Sequence, residues 1–293
     1  MERTPLIHAV AHADGPICGE NSLLFPWWSI TKSVLAAAVL RLVDRGRLSL
    51  DDVYSDRPFT IRQLLQHTAG LNTYGGPRYH AAVAAGEPVW PITEMLDRVK
   101  ADRLIFDPGQ SWAYSNVGYV FIRQLIEEVS GQEIDEALQA LVFEPIGIEQ
   151  TRIARTPGDV AQTHWGNATG YDPRWVYHGL LIGPPSDAVG FLRCLGSQSF
   201  LSKNTFAAMK RMHVIGGSLD GRPWQRTGYG LGLMMGEMAS VGSVYGHSGV
   251  GHDSVSALYC FPDLPDRPIV AVFAQGSDEG IPEFEAARLA LNP

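Results

Sequence analysis

The sequence is poor in charge. Only 18 % of its 293 residues are Asp, Glu, Lys or Arg, below the quarter usual for soluble domains. The balance is acidic, with 31 acidic against 23 basic residues and a net charge of −8. There is no run of Lys or Arg, and phosphate backbones need clustered cations, so a nucleic-acid partner is excluded. Cysteine is scarce too: Cys18, Cys194 and Cys260 are odd in number and far apart, which argues against a disulfide frame and for reduced thiols. The start, MERTPLIHAV, shows neither a basic nor an apolar leader region, and a cytoplasmic location is expected. No apolar stretch approaches the ~20 residues that a membrane helix requires. Internal repeats and low-complexity segments are also missing. What remains is a compact globular chain, 45 % apolar, long enough for a large core.

The chain reads as strands at both ends and helices in the middle. Pro5 to His12 alternates as a strand does, a turn follows at Asp14-Gly15-Pro16, and a second short strand ends near Phe25. Ile30 to Arg45 is apolar almost all round, the mark of a central buried helix, and Gly46 closes it. Further helices are predicted at Ile61–Thr68, Tyr119–Val129, Ile134–Val142 and Asp187–Leu195, the last capped by Ser186. Strands are predicted at Leu231–Gly236 and Val241–Gly246. Ser254–Phe261 and Ile269–Ala274 form an antiparallel pair across PDLPDR, and Glu283–Leu291 is a closing helix. This order implies one mixed sheet joined by the two termini. Residues 1–50 and 202–293 would form the sheet region and residues 51–201 a mostly helical region.

Three short patterns could carry chemistry. In FPWWSITKSVLAAAVL, Ser29 precedes the apolar run and Lys32 follows three residues later. Residues three apart share a helix face, so the Lys32 amine can reach the Ser29 hydroxyl. Ser29 would sit in the first turn, where free N–H groups and the helix dipole favour developing negative charge. The plainer reading is a capping serine with a solvated lysine, but an all-round apolar helix buries its first turn, and burial lowers a lysine's pKa towards that of a working base. The second pattern, Tyr114-Ser115-Asn116, lies in a Pro/Gly loop before a helix. A phenol beside a lysine can act as a base, and the Asn116 amide can bind a carbonyl. The third, Gly246-His247-Ser248-Gly249-Val250-Gly251-His252, joins two predicted strands as a glycine-rich stretch that another backbone or a substrate can approach.

In that order and at those separations, Ser-x-x-Lys, Tyr-x-Asn and His-x-Gly resemble the serine β-lactamase and penicillin-recognising family. The chain is most similar to its class C-like branch of DD-peptidases, D-amino-acid peptidases and family VIII carboxylesterases. IRQLLQHTAGLNTY, FDPGQSWAYSNVGYVFIRQLIEEVSG, FEPIGIEQT and YGHSGVGHDSVSALYCFPD also read like segments of that branch. The resemblance implies an α+β fold: an antiparallel sheet flanked by helices, a mostly helical region, and a site in the cleft between. It further implies that Ser29 is acylated, that Lys32 and Tyr114 share the proton transfers, and that Asn116 orients substrate. The N–H groups of Ser29 and Val250 would bind the oxyanion, with Ser248 and Gly249 completing the substrate strand. His247 stands where the family usually has a lysine. A histidine is a poorer anchor for a lactam carboxylate, which leans the expected substrate towards esters, with lactams and D-amino-acid peptides as the alternative.

Other readings are weaker. Gly246-His247-Ser248-Gly249 misses the G-x-S-x-G spacing of a nucleophile elbow. His247, His252 and Asp253 lack a metal-ligand helix. A binding protein that keeps only the fold would not need all three patterns. The expected partner is a small ester, amide or lactam, with no metal or cofactor. Trp27, Trp28, Tyr74, Trp175, Tyr177 and His178 are candidate pocket residues on aromatic character alone.

Overall fold

The computed structural model describes residues 5–165 and 170–292; the first four residues of the MERTPLIHAV start lie outside them. Eight strands form the main sheet: β1 (Ile7–Ala11), β2 (Ile17–Gly19), β6 (His213–Gly216), β7 (Trp224–Tyr229), β8 (Met234–Met238), β9 (Gly242–Gly251), β10 (Ser254–Cys260) and β11 (Ile269–Gln275), in the order β2-β1-β11-β10-β9-β8-β7-β6. The first strand therefore pairs with the last, Ala9 opposite Ala271. All the pairings of this sheet are antiparallel, which corrects the expected mixed sheet: neighbours follow by hairpins or by the meeting of the termini, so no parallel crossover is needed. A second sheet, β3-β5-β4, joins β3 (Phe25–Pro26), β4 (Arg152–Ile153) and β5 (Leu181–Gly183). The expected second strand is thus two pieces in two sheets.

Helix α1 (Ile30–Asp44) buries every residue from Ile30 to Leu40. Each such Val or Leu contributes roughly 1.5–3 kcal/mol, so the helix is anchored on all sides. One face of the sheet and the helix Asn116–Ser130 pack against it, and the helix Pro185–Leu195 covers β1 and β11 in the same core. The other face packs Trp224, Tyr259, Phe261, Val270 and Val272 against the closing helix Gly280–Leu291. None of the helices among the described residues is long and apolar enough to cross a membrane.

Several boundaries differ from the sequence reading. Pro184, not Ser186, caps the Pro185–Leu195 helix, because a proline at the first helical position needs no N–H partner. The strand expected at Leu231–Gly236 starts only at Met234, since Gly232 turns the chain at φ +75°. β7, WQRTGY, was not expected because its polar residues break the alternation. The largest difference is β9, which runs on through Gly251, so the glycine-rich pattern lies within a strand. A Cβ on Gly249 would sit 2.7 Å from the Trp27 carbonyl oxygen, and one on Gly251 2.2 Å from the Trp28 ring. Glycine here lets the strand lie directly against the turn that leads into α1.

Candidate active site

Ser29 is placed by the two tryptophans before it. The Trp27 N–H donates to Leu181 O at 2.8 Å and its indole to Gly183 O at 3.1 Å. The Trp28 indole donates to Ser254 Oγ at 2.8 Å. Trp28 has φ +45°, a conformation costly for a bulky residue and held only by its surroundings. Ser29 follows as the residue before α1, already helical at φ −72°, and its side chain makes no capping bond. The hydroxyl is instead bracketed by Lys32 Nζ at 3.0 Å and Tyr114 Oη at 2.9 Å.

Lys32 is fully buried. Its amine meets Ser29 and His178 Nε2, the latter at 3.1 Å, and lies over the rings of Tyr114 and Tyr119 at 5.0 and 5.7 Å. Burial holds its pKa well below the ordinary lysine value. Tyr114 moves the other way: burial raises its phenol above the usual range, more than its bond to Ser29 lowers it. Burial thus favours the neutral form of both groups that flank this hydroxyl.

The loop carrying Tyr114 is clamped by His67. Its carbonyl accepts the Ala113 N–H at 3.0 Å, and its Nδ1 accepts the Ser115 N–H at 3.1 Å. The His67 ring lies 4.4 Å from that of Tyr114. Ser115 caps the following helix by accepting the Gly118 N–H. His67 stands in the quoted segment IRQLLQHTAGLNTY, but nothing in its spacing announces a clamp on a loop nearly fifty residues on. Asn116 donates Nδ2 to Tyr74 O at 3.0 Å. An amide has two N–H groups and a carbonyl, so it can serve the cavity as well as the loop.

The third pattern supplies a strand edge. β8 pairs with β9 only as far as Met234 opposite Gly246, while β10 pairs along the whole pattern to Gly251. The Ser248 N–H points to Met234 Sδ at 3.5 Å. Strand alternation turns the Val250 N–H to the same edge, beyond the end of β8. His247 is buried, and both ring nitrogens are engaged: Nε2 with Tyr229 Oη at 2.8 Å and Nδ1 with Ser248 O at 2.5 Å. Burial, helped by Lys32, pushes its pKa down to about 3. Ser248 turns its hydroxyl away, to Tyr259 Oη at 2.7 Å and Glu283 Oε1 at 2.5 Å. Gly249 and Gly251 permit the close approach already described.

Two cavities meet at Ser29, Tyr114 and Val250. One, of about 340 Å³, is walled by Trp112, Ile215, Leu219, Trp224, Met234 and His247. Its charged residues, Arg222 and Glu279, are paired to each other at 3.0 Å. The other, of about 650 Å³, is lined by Trp28, Tyr74, Tyr79, Asn116, Tyr171 and His178. Of the aromatic candidates, Trp28, Tyr74 and His178 thus reach a cavity that opens on Ser29, whereas Trp27 supports it from behind. Trp175 and Tyr177 pack behind Tyr79 and Tyr74. Among the described residues no group of three His, Cys, Asp or Glu is placed to hold a metal ion.

Comparison with known proteins places this geometry. The profile of the family described as Beta-lactamase matches residues 10–292. The chain is 30 % identical over 143 residues to penicillin-binding protein 4* of Bacillus subtilis (strain 168), covering 46 % of this chain and 31 % of that protein. It is 32 % identical over 146 residues to esterase EstB of Burkholderia gladioli, covering 43 % and 37 %. These matches thus span about a third of each relative's length. In three dimensions it resembles the D-amino acid amidase of Ochrobactrum anthropi SV3 in complex with D-phenylalanine, with a TM-score of 0.80 at 20 % identity, covering 98 % of this chain and 92 % of that one.

Proposed function

The chain belongs to the β-lactamase family, and from that premise we propose that it is a serine hydrolase working through an acyl-enzyme on Ser29. The observation that carries this reading is the bracketed hydroxyl, 3.0 Å from a buried lysine and 2.9 Å from a half-buried tyrosine. A serine needs a neighbouring base to become a nucleophile. Lys32, neutral through burial, is that base, and Tyr114, kept protonated, is the acid. The Ser29 proton passes to Lys32 as Oγ attacks the carbonyl carbon. Tyr114 gives its proton to the leaving group as the bond to that group breaks, and Lys32 restores it. Water then takes the place of Ser29 in the reverse sequence. The N–H groups of Ser29, unpaired in the first turn by helix geometry, and of Val250 hold the oxyanion. Asn116 orients the acyl group in the cleft between the sheet region and the helical region.

On this reading the preferred substrate is an ester or amide with no carboxylate beside the scissile bond. His247 is the reason. A lysine at its place would offer fixed positive charge, whereas His247 is neutral above pH about 3 and spends both nitrogens within the protein. It walls the cavity without anchoring an anion. Arg222, shared between Glu279 and the buried Glu283, offers no net positive charge in its place. Loss of a charge-assisted bond costs on the order of 1 kcal/mol or more, which simple esters do not suffer.

Intact-protein mass spectrometry after exposure to activated esters, D-amino-acid amides and β-lactams tests the acyl-enzyme. The adduct is expected on Ser29, and an adduct on Ser248 would defeat the proposal. The substrate preference is tested by kcat/KM for p-nitrophenyl butyrate, nitrocefin and a D-alanyl-D-alanine peptide. The ester should be fastest at neutral pH; nitrocefin or the peptide outrunning it would favour the lactamase or peptidase reading.

A further inference from the structure

We propose that His178, set by Tyr74, is a positioning residue that aims the lone pair of the Lys32 amine at Ser29. This rests on Lys32 being the base.

Lys32 has no carboxylate against its amine among the described residues. Its hydrogen-bond partners are Ser29 Oγ at 3.0 Å and His178 Nε2 at 3.1 Å. A neutral amine carries two N–H groups and one lone pair, and it can take a proton from Ser29 only if the lone pair faces that hydroxyl. An acceptor on the other side enforces this, because it claims an N–H. His178 Nε2 is such an acceptor when the ring proton sits on Nδ1. Nδ1 lies 2.6 Å from Tyr74 Oη, and the backbone N–H of His178 points at the same oxygen at 3.5 Å. With the ring proton on Nδ1, the ring and the backbone N–H both donate to the phenol oxygen, and Nε2 is left bare for Lys32. In the opposite tautomer Nε2–H would claim the lone pair of Lys32 and turn it from Ser29. The tautomer of His178 therefore decides whether Lys32 can act.

The surroundings keep this ring neutral. Burial first, then Lys32, Arg123, His247 and His67, lower the affinity of His178 for a second proton. Tyr74, Tyr114 and Tyr119 complete the groups around the pair, and Arg123 is engaged with Glu127 and the Tyr177 carbonyl. Other hydrogen bonds to Lys32 come from its own helix turn; this one crosses 146 positions of sequence.

The test compares His178→Leu, His178→Gln and Tyr74→Phe in the burst phase with p-nitrophenyl butyrate from pH 5 to 10. Leu removes the acceptor, and a misaimed base is expected to cost about 10²-fold in acylation rate with KM little changed. Loss of an acceptor for the ammonium form also lowers the Lys32 pKa further, so the acid limb of the pH profile moves to lower pH. Gln, which offers a carbonyl at similar reach, should restore at least about tenfold of the loss and return the limb towards its parental place. Tyr74→Phe, which frees the tautomer, should fall between. A His178→Leu rate within about threefold of the parent overturns the proposal. So does a slower rate with an unmoved acid limb and no recovery in Gln, which marks mere packing. If the Leu variant fails to fold, Tyr74→Phe decides, and a parental rate with an unmoved limb there overturns it. Failure of the hydrolase reading looks different: activity or labelling would then survive Ser29→Ala in the parent background.

Discussion

Ser29 and Ser248 wall the same 340 Å³ cavity, each beside titratable neighbours, yet their surroundings differ in kind. The Ser248 hydroxyl is tied to Tyr259 and to the buried carboxylate of Glu283. That carboxylate is in turn bound by the Arg222 guanidinium and the Trp224 indole. That carboxylate has Arg222, Trp224, Ser248 and Tyr259 around it as donors, and Arg222 is shared with Glu279. Such a closed network holds the sheet to its closing helix. Around Ser29 the neighbours are a lysine, a tyrosine and, one bond further, a histidine, with no carboxylate against the lysine. Burial, with no carboxylate against the amine among the described residues, favours the neutral form of Lys32. A carboxylate tied to an arginine has no lone pair to spare for the serine beside it, whereas on the proposed reading the Lys32 amine, held between Ser29 and His178, keeps one.

The sharpest way to break this comparison is to remove each hydroxyl. Ser29→Ala should abolish labelling by a fluorophosphonate and lower turnover by roughly 10⁴-fold or more, with the thermal midpoint nearly unchanged because Ser29 makes no capping bond. Ser248→Ala should keep Ser29 labelling. Reversed outcomes in a labelling gel would exchange the roles of the two serines.

Next come the partners of Ser29. Lys32→Ala and Tyr114→Phe should each cost about 10²–10⁴-fold in kcat, a usual range for proton-transfer groups. The double variant should cost little more, since groups acting as one unit are non-additive. Losses that multiply in steady-state kinetics would mean independent roles.

On the Ser248 side the expected loss is in stability. Glu283→Ala leaves the half-buried Arg222 with Glu279 alone and deprives the Trp224 indole and the Ser248 hydroxyl of an acceptor, at about 1–3 kcal/mol for a buried polar group left short of a partner. Urea denaturation should show it, and a loss below about 1 kcal/mol would mean that the network is not the lock described. Ser248→Ala should cost about 1–3 kcal/mol, the range for leaving a buried polar group short of a partner.

The smallest effects are those of pH. If His247 stays neutral, the ratio of kcat/KM for nitrocefin to that for p-nitrophenyl butyrate should not climb between pH 7 and pH 5; a rise there would show that the histidine gains charge in the working range. The same burial acts on stability. His67, His178 and His247 all have folded pKa values below the unfolded value of about 6.5. The unfolded chain therefore binds more protons in acid. Their contribution is complete above pH about 6.5 and is lost as pH falls towards the folded values, by up to about 1.4 kcal/mol per pH unit for each. His247→Asn should flatten the fall of the thermal midpoint between pH 7 and pH 4.

Local pattern made much of this molecule readable. The apolar run after Ser29 makes α1, and three-residue spacing brings Lys32 under the serine, because both follow from the helical repeat alone. The alternating segment Pro5–His12 predicted β1, and the two apolar segments on either side of PDLPDR predicted β10 and β11. Ser254–Cys260 and Ile269–Gln275 needed only a turn to find each other. The low charge and the apolar middle foretold the buried helix whose surroundings depress the lysine.

Tertiary structure alone decided the rest, wherever the deciding contact joins distant positions. His178 looked like any aromatic candidate until the fold carried it across 146 residues to Lys32. His67 became a clamp only when its loop met Tyr114. β9 runs straight through a glycine-rich stretch that local preference gives to a turn, because the Trp27-Trp28 turn lies where side chains would have been. Ser248 faces away from Ser29 because strand alternation sends it to the opposite side of the sheet from His247. Local preferences fix helices and strands through near neighbours. Protonation states, tautomers and the aim of a lone pair depend on burial and on partners that only the packed chain brings together.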